Sequence, residues 1–288
     1  MSPGPSGGSA LIGWGGPVGL LGASVRGDEA PWALVDSLSP DEVSGTLRMM
    51  PVANPLAVQA GQCANGLDGL GPNSALPCDA TRTHTQRLAR ALAETGLDGA
   101  DFVLDVRGSG SSNINCFAYQ LRGSADLAAW AWTRLLADAP DRSSSLTGYA
   151  AVHGARAVWI EAGGRGEYEL ARAEYVANGL RHAVRRSGVL TSAHGTHPVP
   201  ALARAWEAVS TSAVGIYVPA LTNAARGSTV TKGTMIGQLL DPESGAIVEE
   251  YQVPFSPTTF ALIRPTVTVI DSPGNAIPAV AVTAQIGR

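Results

Sequence analysis

Ala23-Ser24-Val25-Arg26-Gly27-Asp28-Glu29 is the stretch whose reading decides the fold. An apolar run, Val18 to Leu21, precedes it and reads as a buried parallel strand. Pro31-Trp32-Ala33-Leu34-Val35 follows it and reads as the start of a helix. A strand, a tight polar turn and a helix N-terminus make the place where an α/β sheet holds its ligands. The turn carries one cation, Arg26, and two acids, Asp28 and Glu29.

Outward from that turn, the same grammar repeats. Thr46 to Val52 reads as a second strand and runs into the turn pair Asn54-Pro55. Residues 56–79, rich in Gly, Asn and Pro, read as a long loop, a kind that compact domains keep for function. Thr83 to Thr95 reads as a helix with Leu88, Ala91 and Leu92 on one face and Gly96 as its stop. Phe102 to Val106 is a third buried strand, and Arg107 follows it before a Gly, Ser and Asn loop over 108–115. Leu127 to Ala137 reads as a helix with Leu127, Trp130, Ala131 and Leu135 aligned. Arg156 to Ile160 is a fourth strand that ends in Glu161-Ala162-Gly163-Gly164, and Glu167 to Arg186 is a long helix. After residue 198, short β-branched runs alternate with turns, from Val214–Val218 to Val280–Ala284, which is an all-β texture.

Bulk properties narrow the function classes. The chain has 288 residues, 45% hydrophobic and 15% charged, which supports a sizeable core and excludes a disordered chain. The net charge is −4, Lys232 is the only lysine and the arginines are scattered, so a surface that tracks nucleic-acid phosphates is not expected. No apolar run has the length of a membrane span. Cys63, Cys78 and Cys116 show no metal-type spacing, and with no secretory signal their odd number points to a reducing cytoplasm.

In order along the chain, these segments resemble motifs of the succinylglutamate desuccinylase/aspartoacylase family, a branch of the zinc carboxypeptidase-like fold. Arg26-Gly27-Asp28-Glu29 resembles the family's His-Gly-Asp-Glu, whose His and Glu bind zinc. Gly15-Gly16-Pro17, Pro51-Val52-Ala53-Asn54-Pro55 and the series Asp68-Gly69, Asn73-Ser74, Leu76-Pro77-Cys78 resemble its other landmarks. Asp105-Val106-Arg107 stands where the family has Asp-Leu-His, the third ligand, and Glu161-Ala162-Gly163-Gly164 resembles the motif of its general base. Val230 to Gly237 resembles a turn of its small C-terminal β domain. The resemblance implies an α/β fold with a mixed central sheet sandwiched by helices, and a small C-terminal β domain beside the pocket. The expected division is a flexible arm over 1–12, the carboxypeptidase-like domain over 13–198 and the β-rich domain over 199–288.

At this site the chain departs from the family. Arginine has no lone pair to give a metal and stays protonated, so Arg26 and Arg107 cannot act as the two histidines do. Glu29 alone does not hold a catalytic zinc, and no metal or other cofactor is expected there. Two guanidiniums bring the two positive charges that zinc would bring. The expected catalytic set is therefore Glu161 as acid or base, with Arg26, Arg107 and Glu29 around it. By resemblance, Asn73 and Ser74 hold the substrate, Ser74 standing where the family has an arginine. Ser109 and Asn113 make a polar rim. The expected activity is metal-independent work on a small carbonyl- or carboxylate-bearing metabolite: a cyclisation, elimination, isomerisation or acyl transfer, for which secondary metabolism is a natural setting by analogy. Two alternatives stand beside it. One is an amidohydrolase with a metal relocated to His153, His194 or His197; the other is a non-catalytic partner subunit that pairs its buried charges for structure alone. A small-molecule substrate, no nucleic acid, no membrane and a possible homo-oligomer complete the expectations. Cys116, His84 and Tyr168 read as structural or exposed side chains without a role.

Overall fold

Apolar strands that are covered on both faces make the centre of the molecule. The computed structural model describes residues 9–13, 37–50, 52–60, 65–72, 75–77, 83–108, 113–114, 116–121, 123–138, 144–163, 170–191, 201–222, 225, 227–274 and 276–285. The first strands are β1 (Ser9–Gly13), β2 (Thr46–Met50), β3 (Phe102–Gly108), β4 (Asn113–Ile114), β5 (Phe117–Leu121), β6 (Leu135–Asp138) and β7 (Arg156–Gly163). They are followed by β8 (Ala201–Ser210), β9 (Gly215–Pro219), β10 (Thr229–Val230), β11 (Met235–Leu240), β12 (Ile247–Gln252), β13 (Thr258–Ile263), β14 (Thr268–Ile270) and β15 (Ala276–Gln285). The helices are α1 (Pro55–Ala60), α2 (His84–Leu92), α3 (Ala125–Trp130), α4 (Leu146–Val152) and α5 (Leu170–Arg186).

Ten strands lie side by side in the order β10-β13-β15-β8-β6-β5-β7-β3-β1-β2, with β4 paired to β13. β2, β1, β3 and β7 run parallel, while β5 runs antiparallel to β7. The sheet is therefore mixed, as expected. Strand alternation sends Leu104, Val106, Ala118, Val158 and Ile160 to one face, where Leu127 of α3 and Val176, Leu180 and Val184 of α5 cover them. Val103 and Ala157 go to the other face, against Leu92 of α2 and Leu146 and Ala150 of α4. Two helix layers thus enclose the sheet. Gly179 of α5 allows the closest approach, because a Cβ there would meet Ala131 O at 2.4 Å. A second, four-stranded sheet has the order β12-β11-β9-β14 and packs Tyr217, Ile236 and Leu239 in one cluster with Phe260 of β13.

Several elements differ from the sequence reading. β1 begins within the segment 1–12 read as a flexible arm: Ser9 to Gly13 fits between β2 and β3, pairing Leu11 with Arg48 and with Val103. The strand expected at Val18–Leu21 and the helix start at Pro31 lie outside the described residues. The helix expected over 127–137 ends at Trp130, because Trp132 turns the chain at φ +59°. Tyr175 holds that turn by donating its O–H to Trp132 O at 2.7 Å. Leu135, aligned by helical spacing, is instead buried in strand β6 beside Phe117 of β5. The loop expected from residue 56 begins as helix α1, with Asn54 Oδ1 accepting the Ala57 N–H at 3.3 Å. The sheet also continues past residue 199, since Leu135 and Leu136 of β6 pair with Ala201 and Leu202 of β8.

Candidate active site

β3 and β7 end side by side, at the carboxyl edge where parallel strands present their loops. Period-two alternation puts Asp105 and Arg107 on one face of β3, and Trp159 and Glu161 on the same face of β7. Register completes the grid: Asp105 lies beside Trp159 and Arg107 beside Glu161. On the far side of β7, Tyr119 faces Trp159 and Phe117 faces Glu161.

Arg107 is among the largest fully buried side chains, at 1% exposure. Its Nε donates to Asp105 Oδ2 at 2.9 Å, and its Nη2 donates to the same oxygen. Nη2 also donates to Thr147 Oγ1 at 3.2 Å, while Thr147 Oγ1 donates to Asp105 Oδ2 at 2.8 Å. Thr147 reaches the site because α4 starts there, capped by Ser145, whose Oγ accepts the Gly148 N–H at 2.9 Å. The guanidinium carbon stands 3.8 Å from the centre of the Trp159 ring, within cation–π range. The edge of that indole serves Glu161: Trp159 Nε1 donates to Glu161 Oε1 at 2.6 Å, and Glu161 is 8% exposed. Tyr119 supports the indole at 5.0 Å between ring centres. A buried cation and a buried carboxylate are thus coupled through one tryptophan. Such a pair can hold an anionic group on one side and move a proton on the other.

The sequence reading grouped Arg107 with Glu161, Arg26 and Glu29. Among the described residues its carboxylate partner is Asp105. Asp105, Thr147 and Trp159 were not singled out from sequence. Spacing of two on a strand could have found Asp105 and Trp159; Thr147 comes from a separate helix and left no such signal. Arg26, Glu29, Asn73, Ser74, Ser109, His194, His197 and Tyr168 lie outside the described residues. Asn113 is in β4 and pairs with Ile263 of β13. Cys116 is buried in the core on the opposite face, with Leu104 and Ile160. His153 is exposed, stacked 3.9 Å from the Tyr149 ring at the end of α4. It precedes β7, whose start at Arg156 lies about 16 Å from Glu161 by strand rise. His84 is half-buried at the first position of α2.

The loop bearing Asp68-Gly69 is held to α2 by its aspartate. Asp68 Oδ2 accepts the Thr85 N–H and Oδ1 the Thr85 Oγ1–H, both at 2.7 Å, and Oδ1 also takes the Leu70 N–H at 3.2 Å. Burial by itself would raise this carboxyl, but the Thr85, Leu70 and Thr83 bonds outweigh it and bring it down to about 2.

Among the described residues the donor set does not fit the zinc of the family pattern. Among the described residues no group of three or more His, Cys, Asp and Glu is placed to hold a metal. At the strand end where a ligand would stand, Arg107 offers only donors. No helix among the described residues is long and apolar enough to cross a membrane.

No family model and no curated protein matches the chain. Solved structures do. A succinylglutamate desuccinylase/aspartoacylase from Rhodobacter sphaeroides is 20% identical, with 97% of this chain and 86% of that one covered at a TM-score of 0.80. A succinylglutamate desuccinylase from a Silicibacter species is 19% identical, with 98% and 87% covered at a TM-score of 0.81. The product-bound ectoine utilization protein EutE (DoeB) from Ruegeria pomeroyi is 20% identical, with 96% and 86% covered at a TM-score of 0.79. Over nearly its whole length, the chain has the fold of the succinylglutamate desuccinylase/aspartoacylase structures.

Proposed function

We propose that this protein is a metal-independent enzyme descended from the aspartoacylase and desuccinylase amidohydrolases, acting on a small carbonyl- or carboxylate-bearing metabolite. The observation that carries the reading is the placement of buried Arg107 beside buried Glu161, at the carboxyl ends of two adjacent parallel strands. Arg107, joined by Arg26, supplies the fixed positive charge that stabilises an oxyanion or a carboxylate. Asp105, Thr147 and Trp159 hold the guanidinium in one orientation, so it does not reorganise as charge develops. Glu161, held by the Trp159 indole, takes a proton from the substrate and returns it. Charge stabilisation with proton transfer suits cyclisation, elimination, isomerisation or acyl transfer.

Incubation with pooled N-acyl amino acids, lactams and hydroxy or oxo acids, followed by NMR, tests the reading. Conversion should survive exhaustive chelation and disappear in Glu161→Gln. Activity that is lost with a stoichiometric metal and restored by it would overturn the proposal in favour of a metal-dependent hydrolase.

One observation favours a second reading, a non-catalytic partner subunit. Arg107 is already tied by Asp105 and Thr147 and covered by Trp159, a network that holds together without substrate. Co-purification with a catalytic homologue whose activity is unaffected by Glu161→Gln would select it.

A further inference from the structure

Among the buried side-chain atoms of the described residues that lack a hydrogen-bond partner, Arg264 Nε is the one that belongs to a cation. Arg264 follows the last residue of β13 and is half-buried. It has no hydrogen-bond or ion-pair partner among the described residues, and its Nε is buried without an acceptor. The phenol of Tyr217 is close enough to feel its charge, but that phenol donates its O–H to Ile236 O at 3.1 Å. Leaving a buried donor unmade is costly, so such a group calls for an explanation.

Its place in the fold supplies one. β13 is the seam between the two parts of the molecule. Phe260 and Ile263 pack into the C-terminal sheet, while Ala261 packs on Phe117 and Leu135 of the large sheet. Phe117 is the cross-strand neighbour of Glu161. Three residues before Phe117, Ile114 pairs with Leu262, and Asn113 pairs with Ile263, the residue just before Arg264. β4 itself lies against β7, the strand of Glu161. Arg264 therefore stands where the chain leaving the Arg107 strand meets the C-terminal strands.

We infer that Arg264 is a specificity residue: its guanidinium receives a carboxylate of the substrate at the seam between the strand-end site and β13. This deepens the proposed function and rests on it. Arginine suits the role because its planar donors meet a carboxylate in two parallel bonds, which fixes direction as well as charge. Arg107 is committed to Asp105 in the structure, so the two arginines divide the work: one beside the reacting group, one at the far carboxylate.

Calorimetric titration of the full-length protein with N-acetylglycine and with its neutral analogue N-acetylglycinamide tests the inference. The wild type should favour the carboxylate at least tenfold, Arg264→Gln should lose that preference, and Arg264→Lys should keep part of it. Equal affinity of the wild type for both probes, or an unchanged preference in Arg264→Gln, overturns the assignment. If Arg264→Gln does not fold, Arg264→Lys decides, since a lysine lacks the fork: a preference equal to wild type overturns, a reduced one supports. Glu161→Gln separates the two proposals. It should keep the carboxylate preference; if it also keeps turnover, the acid–base function falls while the Arg264 subsite stands.

Discussion

Arg107 is the residue on which the proposed chemistry turns, and it is fully buried. A fully buried cation is tolerated because Asp105, with its side chain only 5% exposed, shares the cavity and Thr147 bonds to both. Removing one member takes from the other its opposite charge in a dry site. Arg107→Ala should therefore lower stability by about 3–5 kcal/mol, as broken buried pairs do. The double variant Arg107→Met with Asp105→Asn should lose clearly less, because no charge is stranded. Urea denaturation of both variants measures this. Equal losses in the single and the double variant would mean that the pair is not what holds the site. Lysine is no substitute for Arg107, since a single ammonium cannot meet Asp105 and Thr147 while lying flat on Trp159.

At the scale of elements, the loop 65–72 depends on α2. Thr83 caps that helix, accepting the Gln86 N–H at 3.2 Å, and the first turn offers Thr85 to Asp68. The folded carboxyl of Asp68 titrates at about 2, against an ordinary value of 3.8. Its contribution to stability is thus complete above the ordinary value and fades as pH falls through about 2. Unfolding of wild type and Asp68→Asn, compared at neutral pH and then in steps down to about 2, should show the wild-type advantage shrinking toward the acid end. An advantage that stays constant with pH would show that the ionised form is not what Thr85 binds. The same scale explains a misread element. Leu127, Ala131 and Leu135 satisfy helical spacing, yet Trp132 breaks the helix and Leu135 is buried as a strand residue. Both structures bury Leu135, and burial is all that the spacing encodes.

At the scale of the whole molecule, the C-terminal strands are not a separate appendage of the sheet. β8 extends it from β6, and β4 reaches back to β13. A small β domain over 199–288 remains our proposal for the residues that build the second sheet, but it shares its largest strands with the first. Unfolding in urea, followed by far-UV circular dichroism and by tryptophan fluorescence, should give coincident transitions. Two separated transitions would show that the C-terminal part folds independently.

The sequence by itself determined the strands β2, β3 and β7, the helices α2 and α5 and the side chains at the strand ends. Apolar runs that stop at Arg107 and at Glu161 placed a cation and an acid where an α/β sheet presents its ligands, and the motif order pointed to the fold. These features are local, and a chain carries its local periodicity wherever it goes. Tertiary structure decided who pairs with whom. It set Arg107 beside Glu161 by register, brought Thr147 from α4, placed Trp159 in contact with both cation and carboxylate, and left Arg264 at the seam with no partner among the described residues. Those outcomes depend on cross-strand alignment and on burial, which removes water as a partner and makes each charge depend on neighbours distant in sequence.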